Sequence, residues 1–137
     1  MGISMKVENI MRREVVTAQE KEPVIKAAHL MMEKNVRSVI VVDGEGKVKG
    51  IITDTDVLSR GIGSCNLYET PIKKIMTPEP ICASPDDNVL DIVKIMGEKK
   101  FRRMPVLDKE GNLIGIISIG DIAPQVMIQL ELLRDSL

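Results

Sequence analysis

Aromatic side chains are nearly absent from this chain: Tyr68 and Phe101 stand alone among 137 residues, and there is no tryptophan. Two rings cannot build the stacked platform on which single-stranded nucleic acid is usually held. Charge of one sign is also lacking, since 19 basic and 20 acidic residues are mixed along the chain and leave a net charge of −1. No long-range field would steer a polyanion to it, so nucleic acid is not expected as a partner. Histidine occurs once, at His29, and cysteine twice, at Cys65 and Cys82, with no C-x-x-C pair. Those counts argue against a histidine-based zinc site and against metal or redox chemistry at the cysteines, and leave two thiols in a reducing compartment. No apolar run approaches the ~20 residues needed to cross a bilayer, and the start, Met1-Gly2-Ile3-Ser4-Met5-Lys6, lacks the apolar stretch of a secretion signal. The expectation is a cytoplasmic protein without a membrane partner; the first four residues are given no role.

What the chain does have is a repeat. "GIITDTD" at Gly50–Asp56 returns as "GIISIGD" at Gly115–Asp121, 65 residues later. Sliding by that offset aligns residues 7–58 with 72–123 without a gap, and 17 of the 52 pairs are identical. An internal duplication follows. The copies are expected over residues 7–62 and 72–128, with a linker over 63–71 in the glycine- and polar-rich stretch around 61–70, and residues 129–137 ending the last helix.

Each copy reads in the same order. A short extended piece, Val15-Val16-Thr17 or Ile81-Cys82, precedes a polar turn. Val24, Ala27, Ala28 and Met31, like Val89, Ile92, Val93 and Met96, then recur at the spacing of one helix face. Pro23 suits the first helical position, and Asp86-Asp87-Asn88 supply caps for the second copy. Ser38 to Val42 and Met104 to Leu107 read as strands closed by Asp-containing turns, and Val48 to Ile52 or Leu113 to Ile117 complete each hairpin. A further helix follows. The order β-α-β-β-α, twice, predicts an α/β (α+β) fold in which two small repeats pack sheet to sheet about a pseudo-twofold axis, since one unit alone buries too little surface.

The motif Thr53-x-x-Asp56, and Ser118-x-x-Asp121, has two readings. A hydroxyl followed three residues later by a carboxylate is a helix capping box, which would explain both copies without a ligand. The same geometry could serve a nucleoside phosphate: the helix N-terminus favours phosphate and the carboxylate can accept from two vicinal ribose hydroxyls. Arg102 and Arg103 enter a strand beside it, as does Arg37 in the first copy, and a guanidinium fork suits phosphate. Lys99 and Lys100 read as a solvated helix end, and His29 as a surface residue.

"IMTPEPICASPDDNVLDIVKIM", "FRRMPVLDKEGNLIGIIS" and the paired G-I-I-[ST]-x-x-D resemble the cystathionine-β-synthase-type (CBS) domain in tandem, over about residues 7–127. The second copy follows the family pattern closely; the first departs at Ile40, where the second carries Pro105. The resemblance implies that Asp56 and Asp121 hold ribose and that Thr53 and Ser118 face phosphate. It also implies that adenine lies between the first strand's end (Thr17, Ala18; Cys82, Ala83) and the second strand (Ser38, Val39, Ile40; Arg103, Met104, Pro105). Val39, Ile40 and Met104 could equally be core.

Two classes of function are weighed. One is a regulatory, energy-sensing module that binds AMP, ADP or ATP in clefts between the repeats and signals to an unknown target protein, with S-adenosylmethionine, methylthioadenosine or NAD as alternative ligands. The other is an enzyme, against which no nucleophile is paired with a base and the carboxylates repeat symmetrically. A ligand-free oligomerisation module is the third possibility. No prosthetic group is expected, and the second copy is expected to be the tighter site. The last helix, from Asp121 to Leu137, carries apolar residues at Ile122, Val126, Leu130, Leu133 and Leu137 with Met127, Ile128 and Leu132 beside them, wider than one core-facing side needs; a homodimer is expected.

Overall fold

The structure is a computed structural model that describes residues 4–63 and 66–136; Cys65, part of the expected linker and the apolar position Leu137 lie outside them. The chain folds as an α/β protein in two compact units, one of Val15–Pro80 and the other of Met1–Glu14 with Ile81–Leu137. The 65-residue offset reappears in the element bounds. Helix α1 is Val24–Lys34 and α3 is Val89–Lys99; strands β2 and β3 are Ser38–Val42 and Val48–Thr53, matched by β5 (Arg103–Leu107) and β6 (Leu113–Ser118). Single 3-10 turns, Val7–Asn9 and Ile72–Lys74, repeat at the same spacing.

In the unit of the first repeat, β1 (Thr17–Gln19) lies parallel to β2, β3 antiparallel to β2, and β4 (Thr77–Pro78) antiparallel to β3. Val39, Val41 and Ile52 form one face of this sheet and are buried with Val24, Ala27 and Met31 of α1. The unit of the second repeat buries Met104, Val106 and Ile117 with Val89, Ile92 and Met96. Both helix faces are therefore those expected from the spacing, with Ala28 and Val93 at their margins. Pro23 is the N-cap of α1, one position earlier than expected. It has no side chain to offer, and the Val24 and Ile25 N–H groups instead donate to the Thr70 and Leu67 carbonyls. Asn88 caps α3 by accepting from the Leu90 N–H at 2.9 Å.

The identical turn residues have a common cause. Asp43 Oδ1 accepts from the Glu45 and Lys47 N–H groups at 2.9 and 3.0 Å. Asp108 Oδ1 accepts from Glu110 and Asn112 at 3.0 and 2.8 Å. Gly46 and Gly111, at φ 82° and 83°, close the two turns in the left-handed region that glycine alone enters freely.

The first strand differs between the copies. In the first it spans three residues; in the second only Ala83 bridges, to Val106. Two prolines account for this. The Ile40 and Glu20 N–H groups donate to the Val16 and Val42 carbonyls, each at 3.0 Å, and the matching positions are Pro105 and Pro85, which have no N–H.

The compact units are not the sequence repeats. The Val7 and Glu8 N–H groups donate to the Asp87 and Pro85 carbonyls, and Arg12 bridges to Ile116 of β6. Ile72 and Lys73 donate to Glu22 and Glu20, and Thr77 pairs with Ile51 of β3. Each repeat's opening segment thus completes the unit that holds the rest of the other repeat. The repeated glycine of G-I-I follows from this crossing: a Cβ on Gly50 would lie 2.8 Å from the Thr77 carbonyl oxygen, and one on Gly115 2.9 Å from that of Arg12.

Candidate functional site

The repeated motif sits where a strand hands the chain to a helix. In the first repeat β3 ends at Thr53 and a single turn, α2 (Asp54–Asp56), follows and runs into a π-helical turn, Val57–Gly61. In the second, β6 ends at Ser118 and the 17-residue α4 (Ile119–Asp135) follows. A carbonyl holds the first N–H of each helix: Asp54 donates to Arg37 and Ile119 to Arg102, both at 3.0 Å. Arg37 and Arg102 thereby fix the junction through their backbone while their side chains remain exposed.

From there the two sites differ. In the first the capping box is complete, with the Asp56 N–H donating to Thr53 Oγ1 at 3.2 Å and the Thr53 N–H to Asp56 Oδ2 at 2.9 Å. The Thr55 N–H donates to Asp54 Oδ1 at 2.9 Å, so the first three N–H groups of this helix all have partners, the first in the Arg37 carbonyl and the next two in Asp54 and Thr53. In the second, the Asp121 N–H donates to Ser118 Oγ at 3.2 Å, but the carboxylate turns elsewhere. Its Oδ2 accepts from the Ser118 hydroxyl at 2.8 Å and its Oδ1 from Arg12 Nε at 3.0 Å. Arg12 arrives on the opening segment of the chain; its counterpart beside the first site is Thr77, which carries no charge.

Strand alternation sorts the remaining candidates. Paired residues share a sheet face, so Thr17, Ile40, Ile51 and Thr77 form one row across the first sheet, with Ser38 and Thr53 as the next pair on that face. In the second unit Arg103 and Ser118 form the corresponding pair, beside Pro105 and Ile116. Cys82 precedes the Ala83 bridge and takes the position of Thr17; burial pushes its thiol up from the ordinary value. Ala18, Val39, Ala83 and Met104 are brought to the opposite face, buried in the two helix-facing cores. Any part they take in a site is through backbone alone, and they read as core. The sequence reading missed Ile51, Thr77 and Ile116 of these rows and, among charged residues, Arg12. Its only signal is that it breaks the 65-residue repeat with a charge.

Comparison with known proteins gives a consistent result. The family model of the CBS domain matches residues 7–63 and 72–127. The chain is 31% identical over 121 residues to the CBS domain-containing protein YhcV of Bacillus subtilis, covering 88% of this chain and 85% of that protein. It spans 73% of one other curated relative, from Acidianus ambivalens, and only 16% of another, from Schizosaccharomyces pombe. Among solved structures it is similar to the CBS domain pair of protein MJ0100 in complex with 5′-methylthioadenosine and S-adenosyl-L-methionine, at a TM-score of 0.83 and 25% identity over 93% of this chain and 99% of that one. It is likewise similar to CBSX2 of Arabidopsis thaliana in complex with AMP, at a TM-score of 0.77 and 28% identity over 92% and 98%.

Proposed function

We propose, starting from the fact that this chain belongs to the CBS domain family, that it is a regulatory module which binds adenosyl ligands at its two strand-to-helix junctions and passes the signal to a separate target protein. Asp56 and Asp121 accept from the ribose hydroxyls, and Thr17, Ser38, Thr53 and Cys82, Arg103, Ser118 line the two sites, with Ile40 and Pro105 of the same rows buried behind them. The observation that carries this is the state of Asp121. A carboxylate kept only as a cap would close the box onto the Ser118 N–H; that of Asp121 instead points to the Ser118 hydroxyl and Arg12. Similar proteins of known structure hold AMP, 5′-methylthioadenosine and S-adenosylmethionine, which share an adenosine with a ribose diol.

The test is thermal and calorimetric. A ligand that binds only the folded chain raises its Tm, by about 2.7 kcal/mol of stabilisation at a hundredfold excess over Kd. Adenosyl compounds should raise it and guanosine or inorganic phosphate alone should not. If the wild type binds an adenosyl compound while neither Asp56→Asn nor Asp121→Asn loses affinity, the ribose assignment is wrong. A second property is favoured by α4, whose Met127, Ile128, Leu130 and Leu132 are all about half exposed or more: the module is a homodimer, closed through this helix, and works in the cytoplasm.

A further inference from the structure

We infer that the two sites accept chemically different ligands: the second-repeat site a nucleoside phosphate, the first-repeat site an adenosyl group without phosphate, neutral or cationic. This rests on the adenosyl reading above and deepens it. The reason is a set of three departures from the repeat, each at the junction and each changing charge in the same direction. Asp54, in the first turn beside Asp56, is replaced by Ile119 beside Asp121. Ser38, which pairs with Thr53 across the strands, is replaced by Arg103, which pairs with Ser118. Thr77, paired to Ile51, is replaced by Arg12, bridged to Ile116 and bonded to Asp121.

Each change makes the second site more positive by one charge. A phosphate brought to the first junction would meet two carboxylates, Asp54 and Asp56, and helix N–H groups already occupied by Arg37, Asp54 and Thr53. At the second, where the Ile119 and Asp121 N–H groups are likewise occupied, it would meet one carboxylate, Asp121, with Arg12 and Arg103 beside it. The Arg12–Asp121 pair adds a division of labour. With a side chain 69% exposed, Arg12 is held to Asp121 by the charge-assisted Nε–Oδ1 hydrogen bond at the protein surface. When a ribose diol takes the carboxylate, the guanidinium is released next to the bound nucleoside. A phosphate there gives it a new partner, whereas a neutral nucleoside leaves it without one. The pair therefore penalises neutral ligands at the second site and rewards anionic ones.

The experiment is calorimetry on the full chain with AMP and adenosine, which differ only in the phosphate. AMP is expected to fill one site per chain, and adenosine to fill a second one on the AMP-saturated protein. Arg12→Met should weaken AMP about 10-fold, the effect of one lost charge-assisted contact, and Arg12→Lys should recover part of it. Adenosine binding to the AMP-saturated chain should stay within about twofold in both variants. Asp54→Asn, which keeps an acceptor for the Thr55 N–H, should admit AMP to the first site and raise its stoichiometry toward two. AMP filling two equal sites in the wild type, AMP excluding adenosine altogether, or Arg12→Met leaving AMP affinity unchanged would each overturn the inference while the adenosyl reading stands. If the wild type binds neither compound, both fall.

Discussion

Asp56 and Asp121 hold the same place in two copies of one motif and are used differently. Asp56 is buried and returns its Oδ2 to the Thr53 N–H, so Asp56→Asn should cost some stability, about 1 kcal/mol as for a weakened cap, as well as ribose affinity. Asp121 closes no such box. Asp121→Asn should therefore alter chemical denaturation less than Asp56→Asn while lowering nucleotide affinity about 10- to 100-fold, which denaturation and calorimetry on the same samples would separate. The turn aspartate Asp43 offers a pH test. The Lys47 N–H, more than the Glu45 N–H or the neighbouring lysines, holds its carboxyl below the ordinary value against a desolvation that pushes the other way. A depressed folded pKa means that the group stabilises the fold above its unfolded pKa, and that this contribution is lost as pH falls through the folded one. The gap in urea midpoint between wild type and Asp43→Ala should accordingly be present at pH 7 and shrink toward pH 3.

At the scale of elements, the crossing of each repeat's opening segment sets the sequence of the strand it pairs with. Gly50 and Gly115 lie under the backbones of Thr77 and Arg12, and a methyl group at either would press on a carbonyl oxygen that cannot yield as a flexible side chain does. Gly50→Ala and Gly115→Ala should each cost about 1–3 kcal/mol by overpacking, read as a lowered urea midpoint with an unchanged slope. The prolines work the other way, by withholding bonds. Pro105→Ile would restore an N–H where Ile40 donates to Val16, so amide exchange at residue 105 should be slow in that variant, as it is expected to be at Ile40 in the wild type. Rapid exchange at 105 would mean that the shortened first strand of the second copy has another cause than its prolines.

For the whole molecule, association is the property most exposed to test. Among the described residues α4 joins the core through its first turns, by Ile119, Ile122 and Val126, while Met127, Ile128, Leu130 and Leu132 face outward. Light scattering at micromolar concentration should give the mass of a dimer, and Met127→Glu combined with Ile128→Glu should give that of the 15.2 kDa chain without disturbing either core cluster. A wild-type monomer would remove the dimer from the proposal and leave the two ligand sites as they are.

The sequence by itself determined the element plan. Its 65-residue repeat returns in the bounds of α1 and α3, β2 and β5, and β3 and β6, because helix and strand are set by local periodicity and each copy carries the same periodicity. It also carried the capping motif and the turns, whose chemistry is local. Tertiary structure alone decided which face of each strand meets a core and which segments complete which unit. Val39 and Met104, adjacent in sequence to Ile40 and Pro105, were sent to the opposite side of their sheets by the pleat and buried as core. Arg12 was brought to Asp121 across 109 residues of chain. No periodicity encodes such a contact: it depends on the opening segment of one copy pairing with the last strand of the other, and the charge there is visible in the sequence only as one of the places where the duplication fails to repeat.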